Sequence, residues 1–481
     1  MTAAAILWFR NDLRLADNAA LHAAAASNLP VIPFFILDDD APGPWKPGGA
    51  SRWWLHGSLA ALAGSLHAIG SRLILARGAT REILLYMAGK YGASTIYCAR
   101  AYEPWAMALE ASLKVDLDKA GVALKRYRGA LLFEPENLTT GQGKPFQVYT
   151  PFARAALAAE NPGKLVAPPR TLRAPARWPA SDNLADWELT PTKPDWAGGL
   201  KEAWTPGEIA ARTRLNTFLR SCAASYHERR NRPDLVGTSR LSPHVHFGEI
   251  SIRQCWRRAR AIAEAHPERA AGIEVFLKEL LWREFSNHIL VQNPTLPDAP
   301  VRETFAHFPW KSDASALRSW QRGRTGYPIV DAGMRELWTT GWMHNRVRMI
   351  AASFLIKHLL QPWQKGEAWF WDTLVDADLA NNAASWQWVA GSGVDAAPYF
   401  RIFNPVKQAE TFDPNGAYVR KWCPELAKLP TPHIHAPWDV PVEILAKAGI
   451  QLGRTYPLPI VDHKEARARA LEAFESLKPS S

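Results

Sequence analysis

Short β-rich runs alternate with longer helix-like stretches over residues 1–130, and this alternation limits the fold more than any other feature of the chain. The predicted strands are Ile6–Phe9, Val31–Leu37, Leu73–Ala76, Thr95–Cys98 and Val122–Tyr127, and the predicted helices are Asn18–Ala26, Ser51–Ile69, Arg81–Tyr91 and Trp105–Lys119. Such alternation is typical of a parallel sheet covered by helices on both faces. We therefore predict an N-terminal, five-stranded, parallel, Rossmann-like α/β domain.

The loop after the first predicted strand lacks the glycines of a dinucleotide site. Residues 10–17 are Arg-Asn-Asp-Leu-Arg-Leu-Ala-Asp, whereas G-x-G-x-x-G is the pattern that lets a backbone approach a pyrophosphate. We therefore expect no conventional dinucleotide site in this sheet, although parallel sheets in general bind ligands at the carboxyl ends of their strands.

The rest of the chain divides into a linker and a helical region. Prolines without hydrophobic periodicity predict an interdomain linker over 131–205 that runs along the surface. Helical spacing then recurs in Ile209–Tyr226, Ile252–His266, Ile273–Gln292, Val330–Leu337, Asn345–Leu360, Glu367–Leu374, Asn381–Val389 and His463–Leu477. The fold class is thus α/β plus all-α, with an all-helical domain over 206–481.

Composition indicates what kind of partner the protein binds and in which compartment it works. The net charge of +11 favours a polyanion, although dispersed charge can also serve solubility alone. Cys98, Cys222, Cys255 and Cys423 form no CxxC pair, so we expect a reducing compartment, no disulfide framework and no metal site. Without an apolar run of ~20 residues or a basic leader, we expect a cytoplasmic protein with no membrane association.

In residues 376–388, the carboxylates Asp376 and Asp378 are followed by the amides Asn381 and Asn382 and then by the indoles Trp386 and Trp388. If this stretch is helical from Leu379, Asn382 and Trp386 lie one turn apart on one face. An amide beside an indole suits a flat ligand with a polar edge. The alternative is a helix capped by Asp378 whose tryptophans anchor a core, and these residues alone leave both interpretations open.

Four further clusters have a binding and a structural interpretation. Gly237–Ser242 suits a phosphate but is also typical of a capped turn. Glu279, Trp282 and Arg283 share one helix face, where a Glu–Arg pair is usually a weak surface ion pair. Trp342–Met349 places Asn345 and Met349 one turn apart, either for binding or as a basic helix with a core methionine. Pro398–Asn404 combines aromatic residues with Arg401, which favours nucleic-acid contact.

Seven motifs follow the order of one known family and cover nearly the whole chain. They are Asn11–Asn18, Gly237–Ser242, Glu279–Phe285, Thr325–Asp331, Gly341–Met349, Asp376–Trp388 and Asp395–Pro405. In these motifs the chain resembles the photolyase/cryptochrome family, most of all the class III photolyases of cyclobutane pyrimidine dimers (CPDs). The resemblance implies FAD in the helical domain and an antenna pigment in domain 1–130.

The resemblance also implies roles for individual residues. The FAD-binding residues would be Tyr226, Thr238, Ser239, Arg240, Leu241, Ser242, Glu279, Arg283, Asn345, Arg348, Asp376, Asp378 and Asn382, with Arg348 paired to Asp376. The residues that contact damaged DNA would be Glu279, Trp282, Asn345, Arg346, Met349, Trp388 and Arg401, and the catalytic set would be Glu279, Asn345, Met349 and Asn382. Trp386, Trp363 and Trp310 match the family's electron relay. Phe276 departs from relatives that place Trp there.

Single positions separate the branches of the family. The resemblance places His at the positions of Asn345 and Met349 in the branch that repairs (6-4) photoproducts. Because this chain has an amide and a thioether there, CPDs are the expected substrate. The resemblance places Asp at the position of Asn382 and Tyr at the position of Trp388 in plant cryptochromes. The residues of this chain therefore favour repair over signalling. A blue-light receptor and a DNA-binding flavoprotein without photochemistry remain the alternatives. We expect a monomer that associates with the bacterial nucleoid.

The antenna is the least constrained part of the resemblance. In folate-binding relatives an Asn-Glu pair follows the Tyr-Glu of the fourth βα loop, and here Trp105 and Ala106 stand there. Arg52–His56 looks more like class III photolyases and plant cryptochromes. We therefore expect 5,10-methenyltetrahydrofolate bound differently, with 8-hydroxy-5-deazaflavin as the alternative, and candidate contacts at Arg10, Asp38, Arg52 and Glu103.

Overall fold

The computed structural model describes residues 4–159 and 163–477. The chain divides into two compact units that interleave along the sequence: Met1–Ala224, Ser239–Pro294 and Val375–Ala380 form the first, and Ser225–Thr238, Thr295–Leu374 and Asn381–Ser481 form the second. The outer ends of the predicted terminal domains, residues 1–3 and 478–481, and linker residues 160–162 lie outside the described ranges. The predicted domain boundaries at 130 and 205 remain a prediction.

A five-stranded parallel sheet forms the centre of the N-terminal part of the first unit. Its strands are β1 (Ala4–Phe9), β2 (Val31–Leu37), β3 (Ile74–Arg77), β4 (Ala93–Ala99) and β5 (Ala123–Tyr127). They run in the order β3-β2-β1-β4-β5, and Ile6 of β1 pairs with Ile32 and Ile96. The prediction of a five-stranded parallel sheet is confirmed, and each strand begins and ends within two residues of its predicted bounds.

Four helices connect these strands: α1 (Ala19–Ala26), α2 (Gly49–Ala68), α3 (Thr80–Tyr91) and α4 (Pro104–Lys119). The Asn18 side chain accepts a hydrogen bond from the Leu21 N–H and so caps α1. Gly92 adopts a left-handed conformation after α3, which glycine tolerates without a Cβ penalty. One core cluster consists of buried apolar residues from alternate positions of the strands and from α3 and α4. The burial of this cluster is the main contribution to the stability of the sheet and its helices.

The predicted linker contains regular structure. It holds α5 (Tyr149–Ala158) and α6 (Gly198–Ala203). The sequence pattern did not predict α5, whose ten residues are too few to establish a clear helical period. The helices that follow are α7 (Glu208–Ser221), α8 (Tyr226–Arg229), α9 (Ser242–His246), α10 (Ile252–Ala265) and α11 (Ala270–Gln292). The helix predicted over Ile209–Tyr226 is therefore interrupted after Ser221.

Regular structure in the second unit is helical. Its elements are α12 (Ala314–Gln321), α13 (Pro328–Thr340), α14 (Asn345–Ser353), a π-helical turn (Phe354–His358), α15 (Trp363–Thr373), α16 (Leu379–Ala390, which begins in the first unit), α17 (Pro405–Phe412), α18 (Ala417–Trp422), α19 (Val442–Lys447) and α20 (His463–Glu475). This confirms the predicted helical region. Asp313 and Asn404 cap α12 and α17, short helices that the sequence pattern missed.

Single 3-10 turns complete the described structure, at Gly43–Trp45, Pro135–Asn137, Leu184–Trp187, Ala223–Ser225, Pro267–Arg269, Glu303–His307, Pro424–Leu426, Thr431–His433 and Pro437–Asp439. Within residues 4–159 and 163–477, we find no helix with the length and apolar character needed to cross a membrane.

Candidate active site

The face of α11 that the sequence singled out presents an indole to solvent. Trp282 is 36% exposed, and its ring stacks on Tyr149 of α5 with ring centroids 3.5 Å apart and planes 6° from parallel. Glu279 is half-buried one turn before Arg283. The Arg283 guanidinium donates to the Ala130 carbonyl at 2.8 Å and lies 3.4 Å from a Glu284 carboxylate oxygen. The carboxylate found beside Arg283 is thus that of Glu284, the next residue in the sequence.

Glu284 is a buried acid that the sequence analysis did not single out. One of its carboxylate oxygens accepts from the Leu132 N–H at 2.7 Å and from the Phe133 N–H at 3.3 Å. Burial raises the pKa of Glu284 to about 7, although Arg283 and the two N–H groups oppose that shift. Glu284 therefore joins α11 to the segment after β5.

The turn at Ser239–Ser242 has an unusual backbone. Arg240 adopts a left-handed conformation with φ of 51°, which is uncommon for a residue with a Cβ. The Leu241 N–H donates to the Ser239 hydroxyl at 3.4 Å, and α9 begins at Ser242. In the same unit, Asp376 is buried, and a carboxylate oxygen of Asp378 lies 3.4 Å from His246 Nδ1. Hydroxyl groups and carboxylates in this unit fit the polar parts of a nucleotide.

In the second unit, α14 begins at Asn345. The Asn345 side chain is exposed, and Met349 follows one turn later in a half-buried position. Arg346 donates to the Asn231 side-chain oxygen at 2.9 Å and contacts the Met349 sulfur at 3.7 Å, with its guanidinium 4.4 Å from the Phe412 ring centroid. All of these contacts are to neutral groups.

Two other arginines of the second unit act on Arg346. Burial, and after it the positive charges of Arg230 and Arg401, lower the pKa of Arg346. Like charges that converge in this way repel one another, and an anion between them would remove that cost. Arg346 and Arg401 were predicted from the sequence, whereas Arg230 was not, because it lies outside all seven motifs.

A buried polar network holds the start of α14. The Glu336 carboxylate accepts from the His344 N–H at 3.1 Å and from the Tyr418 hydroxyl at 2.7 Å. His344 Nδ1 in turn accepts from the Arg346 N–H at 3.2 Å, which caps the helix. Arg348 donates through Nε to the Met343 carbonyl at 2.7 Å. Its predicted pairing with Asp376 remains a prediction.

Asn382 of α16 lies beside an unusual acid on α15. The Asn382 side-chain NH2 donates to the Glu367 backbone carbonyl at 3.1 Å. The Glu367 carboxyl is fully buried, and neither of its oxygens has a hydrogen-bond partner among the described residues. Burial raises the pKa of Glu367 well above its ordinary value. The carboxyl is therefore held in its neutral form, and a polar group bound nearby would satisfy it.

The three tryptophans predicted to relay electrons lie at different depths in the second unit. Trp386 and Trp363 are buried, and Trp310 is half-buried against Phe308 with ring centroids 4.3 Å apart. Trp386 packs edge-on against Phe370 at 5.0 Å and Trp320 at 6.3 Å. Trp388 is half-buried on the same helix.

The loop after α16 presents an aromatic ring and a cation. Phe400 is 64% exposed and the Arg401 side chain is exposed beside it. The Lys357 ammonium donates to the Arg401 carbonyl at 3.1 Å and lies 5.1 Å from the Tyr399 ring centroid. Burial lowers the pKa of Lys357 to about 8. The π-helical turn that carries Lys357 thus anchors this loop.

The four antenna candidates lie near the carboxyl ends of strands and already have partners. The Arg10 guanidinium donates to Glu110 at 2.5 Å, and Arg52 pairs with Asp39. Asp38 accepts from the Thr80 N–H at 2.8 Å and the Ala41 N–H at 2.9 Å. A Glu103 oxygen accepts from the Tyr102 N–H at 3.1 Å. An antenna at this edge would add to these contacts or replace them.

Two family comparisons match most of the chain. Residues 5–174 match the family described as DNA photolyase, and residues 276–476 match the FAD binding domain of DNA photolyase. The deoxyribodipyrimidine photo-lyase of Agrobacterium fabrum is 50% identical over 100% of this chain and 99% of the relative. The chain belongs to the photolyase/cryptochrome family.

Solved structures and other relatives extend this family assignment. A class III photolyase structure from Agrobacterium tumefaciens matches with a TM-score of 0.96 and 50% identity, over 100% of this chain and 98% of that one. A Synechocystis cryptochrome structure matches with a TM-score of 0.88 and 30% identity, over 98% and 99%. Cryptochrome-1 of Arabidopsis thaliana is 39% identical over 98% of this chain and 70% of the relative. The predicted family and its class III likeness are confirmed.

The matched FAD-binding family supports FAD as the cofactor of this photolyase family member. The residues described here fit a flavin, because the buried Glu367 carboxyl has two oxygens without partners among the described residues, and the Asn382 amide donates to the backbone carbonyl of the same residue. A buried ring with a polar edge would satisfy such groups. Glu367 had no distinguishing signal in the sequence beyond its position one turn after Trp363.

Proposed function

We propose that this protein is a deoxyribodipyrimidine photolyase that splits cyclobutane pyrimidine dimers in DNA when it absorbs light. The observation that carries the proposal is α14, where an exposed Asn345 and a half-buried Met349 accompany Arg346, whose guanidinium contacts Asn231, Met349 and the Phe412 ring and lies within reach of the charges of Arg230 and Arg401. An anion-binding surface suits a DNA backbone. An amide and a thioether beside it suit a thymine edge and supply no acid, which the (6-4) branch of the family would require.

DNA would bind first through its phosphates. The charges of Arg230 and Arg401 act unfavourably on Arg346, so a phosphate beside Arg346 gains attraction and offsets that repulsion. Phe400 is exposed next to Arg401 and offers a ring for stacking. Such contacts fix the register of the DNA and carry no sequence information.

The damaged dinucleotide then flips out of the helix, at a cost of a few kcal/mol that is smallest at a damaged site. Trp282 and Trp388 flank the flipped dimer, Glu279 and Asn345 hydrogen-bond its edges, and Met349 packs against it. Reduced FAD, when bound and excited by light, would lend an electron to the dimer and take it back once the cyclobutane ring has split, so that no net oxidation or reduction occurs. Glu279 stabilises the negative charge that develops on the dimer.

The FAD itself would be held by residues from several elements. Tyr226, Thr238 and Ser239–Ser242 bind its phosphates through hydroxyl and backbone N–H groups. Arg283, Arg348, Asp376 and Asp378 bind its polar edges, and the Asn382 amide donates to its ring. The amide at 382 keeps a neutral hydrogen-bond donor there, because its other N–H is already fixed by the Glu367 carbonyl at 3.1 Å.

Trp386, Trp363 and Trp310 would carry electrons inward to keep the cofactor reduced. Two of the three are buried and Trp310 reaches the surface, an order that suits this task. Replacement of Trp386 by Phe should slow the photoreduction of bound FAD in the presence of an external donor. Photoreduction at the wild-type rate would contradict the relay.

We also infer that the antenna is 5,10-methenyltetrahydrofolate, bound near Arg10, Asp38, Arg52 and Glu103, with a deazaflavin as the alternative. The folate follows from the resemblance of Arg52–His56 to class III photolyases and plant cryptochromes. The absorption spectrum of purified protein tests the inference, because a folate and a deazaflavin add bands at different positions beside the flavin. A flavin spectrum without a second band would argue against both.

A blue-light receptor is the second candidate, because plant cryptochromes are about as similar to this chain as several photolyases are. Asn382 and Trp388 favour repair, since the resemblance places Asp and Tyr there in plant cryptochromes. As a repair enzyme, the protein would act as a cytoplasmic monomer associated with nucleoid DNA.

The test of the proposal is repair of an oligonucleotide that contains one thymine dimer. Purified protein with reduced FAD should restore the two thymines under near-UV light and leave the dimer intact in darkness. Repair in darkness would indicate another chemistry. Tight binding to DNA without repair under light would favour the receptor or a DNA-binding flavoprotein.

A further inference from the structure

Tyr149 of α5 forms an extensive contact with Trp282. The two rings are stacked and nearly parallel, with centroids 3.5 Å apart and planes at 6°. The phenol hydroxyl donates to the Lys278 carbonyl at 2.7 Å, one helical turn before Trp282 on α11. Tyr149 is therefore fixed to the same helix at two points, by its ring and by its hydroxyl.

The surroundings of this pair restrict both rings. Phe285 meets Tyr149 edge-on at 5.9 Å and Trp282 edge-on at 6.0 Å. Phe152, one turn after Tyr149 on α5, is buried against Phe285 and against His288. Aromatic pairs of this kind hold each other in a defined orientation. The indole plane of Trp282 is thus set by α5, a helix outside the motifs of the family.

Tyr149 covers one face of the indole, yet 36% of Trp282 stays exposed. Because Tyr149 occupies one face of the indole, a further ring can stack only on the opposite face. A ring that is already oriented loses little conformational freedom when a ligand stacks on it, and such preorganisation increases affinity. The pair has the properties of a fixed platform for one more flat ring.

We propose that Tyr149 is a positioning residue for recognition of the pyrimidine dimer, acting through Trp282. It holds the indole in one plane so that the flipped dimer stacks on the uncovered face. This inference rests on the proposed function, because it requires Trp282 to contact the lesion. It assigns to the region between the sheet and the helical domain a part in substrate selection.

The inference separates two kinds of affinity. Undamaged DNA binds through phosphate contacts that do not involve a flipped base, so Tyr149 should not affect it. Dimer-containing DNA gains the stacking contact in addition. Loss of the stacked ring should weaken binding to dimer-containing DNA about twofold to tenfold, the range that aromatic pairs contribute, with little change for undamaged DNA.

The test is a double-mutant cycle in DNA affinity, measured in darkness with FAD-loaded protein. Tyr149→Leu, Trp282→Ala and the double variant are titrated with one duplex, with and without a central thymine dimer. We expect Tyr149→Leu to weaken only the dimer-containing complex and to add nothing in the Trp282→Ala background. Tyr149→Phe keeps the stacked ring and should recover more than half of the loss. Tyr86→Leu, at an exposed tyrosine of α3, is the control for the substitution itself.

The outcomes distinguish this inference from the proposed function. Wild-type discrimination in Tyr149→Leu, or equal losses in both backgrounds, would overturn the positioning role. A Trp282→Ala variant that discriminates as well as wild type would instead overturn the placement of Trp282 at the lesion. If Tyr149→Leu does not fold, Tyr149→Met takes its place in the cycle, since it fills similar volume without a ring.

Discussion

Gly366 of α15 lies directly beneath the indole of Trp386. A Cβ added at Gly366 would lie 2.1 Å from Trp386 Cη2 and 2.5 Å from Cζ3. Ordinary contact for a Cβ begins at 3.4 Å, so the ring would have to retreat by about 1.3 Å. Trp386 is buried and packs against Phe370 and Trp320, so the ring has nowhere to move without displacing its neighbours.

The cost of Gly366→Ala follows from this geometry. Overpacking a well-filled core destabilises by about 1–3 kcal/mol, whereas Ala in place of Gly within a helix gains roughly 0.5–1 kcal/mol. Gly64→Ala is the matched control, because Gly64 lies in helix α2 with nothing within 4 Å of its added Cβ. The difference in unfolding free energy between the two variants should therefore be about 1–3 kcal/mol, with Gly366→Ala the less stable.

Two assays measure the effect of Gly366→Ala. Thermal unfolding should show a melting temperature a few degrees lower for Gly366→Ala than for Gly64→Ala. Photoreduction of bound FAD should also slow in Gly366→Ala, since electron transfer falls steeply with distance and the displaced ring is the first of the proposed relay. Equal melting temperatures together with wild-type photoreduction would refute both the packing argument and the placement of Trp386.

Three further predictions concern single side chains. Arg346→Ala should weaken binding to any DNA and lower the slope of log affinity against log salt by about 1, and an unchanged slope would exclude a phosphate contact. Asn382→Asp should place two acceptors against each other at the Glu367 carbonyl unless the new acid is protonated. The variant should therefore be less stable than wild type by about 1–3 kcal/mol at neutral pH. In acid, where the new carboxyl is protonated, this loss of stability should be smaller, as thermal unfolding at several pH values will show. Glu284→Gln should flatten the pH dependence of stability. The folded-state pKa of about 7 lies above the unfolded value, so the folded protein binds the extra proton, and the wild type should lose stability as pH rises from about 4.5 to 7.

The sheet was predictable because its cause is local. Each strand is a short β-rich run bounded by polar turns, and period and length alone identify it. The long helices α10 and α11 were predictable for the same reason. α12 and α17 were missed because each has only eight residues, and a cap residue and tertiary contacts decide such helices more than periodicity does.

The candidate site was predictable only where a motif carried it. Asn345, Met349 and Asn382 stand in motifs, and their spacing on a helix is fixed by sequence. The Tyr149–Trp282 stack joins residues 133 positions apart, and Arg230 approaches Arg346 across the second unit. Contacts of that kind depend on tertiary packing, so no local pattern contains them. The ion pair between Arg52 and Asp39 is likewise a tertiary contact that no local pattern contains.

The most direct test of the central claim compares two lesions in one assay. Protein with reduced FAD is illuminated with matched oligonucleotides, one with a thymine cyclobutane dimer and one with a (6-4) photoproduct. We predict that light restores the cyclobutane substrate to two thymines and leaves the (6-4) substrate unchanged, because Asn345 and Met349 provide no acid. Failure to restore the cyclobutane dimer, although reduced FAD and the DNA are both bound, would contradict the account.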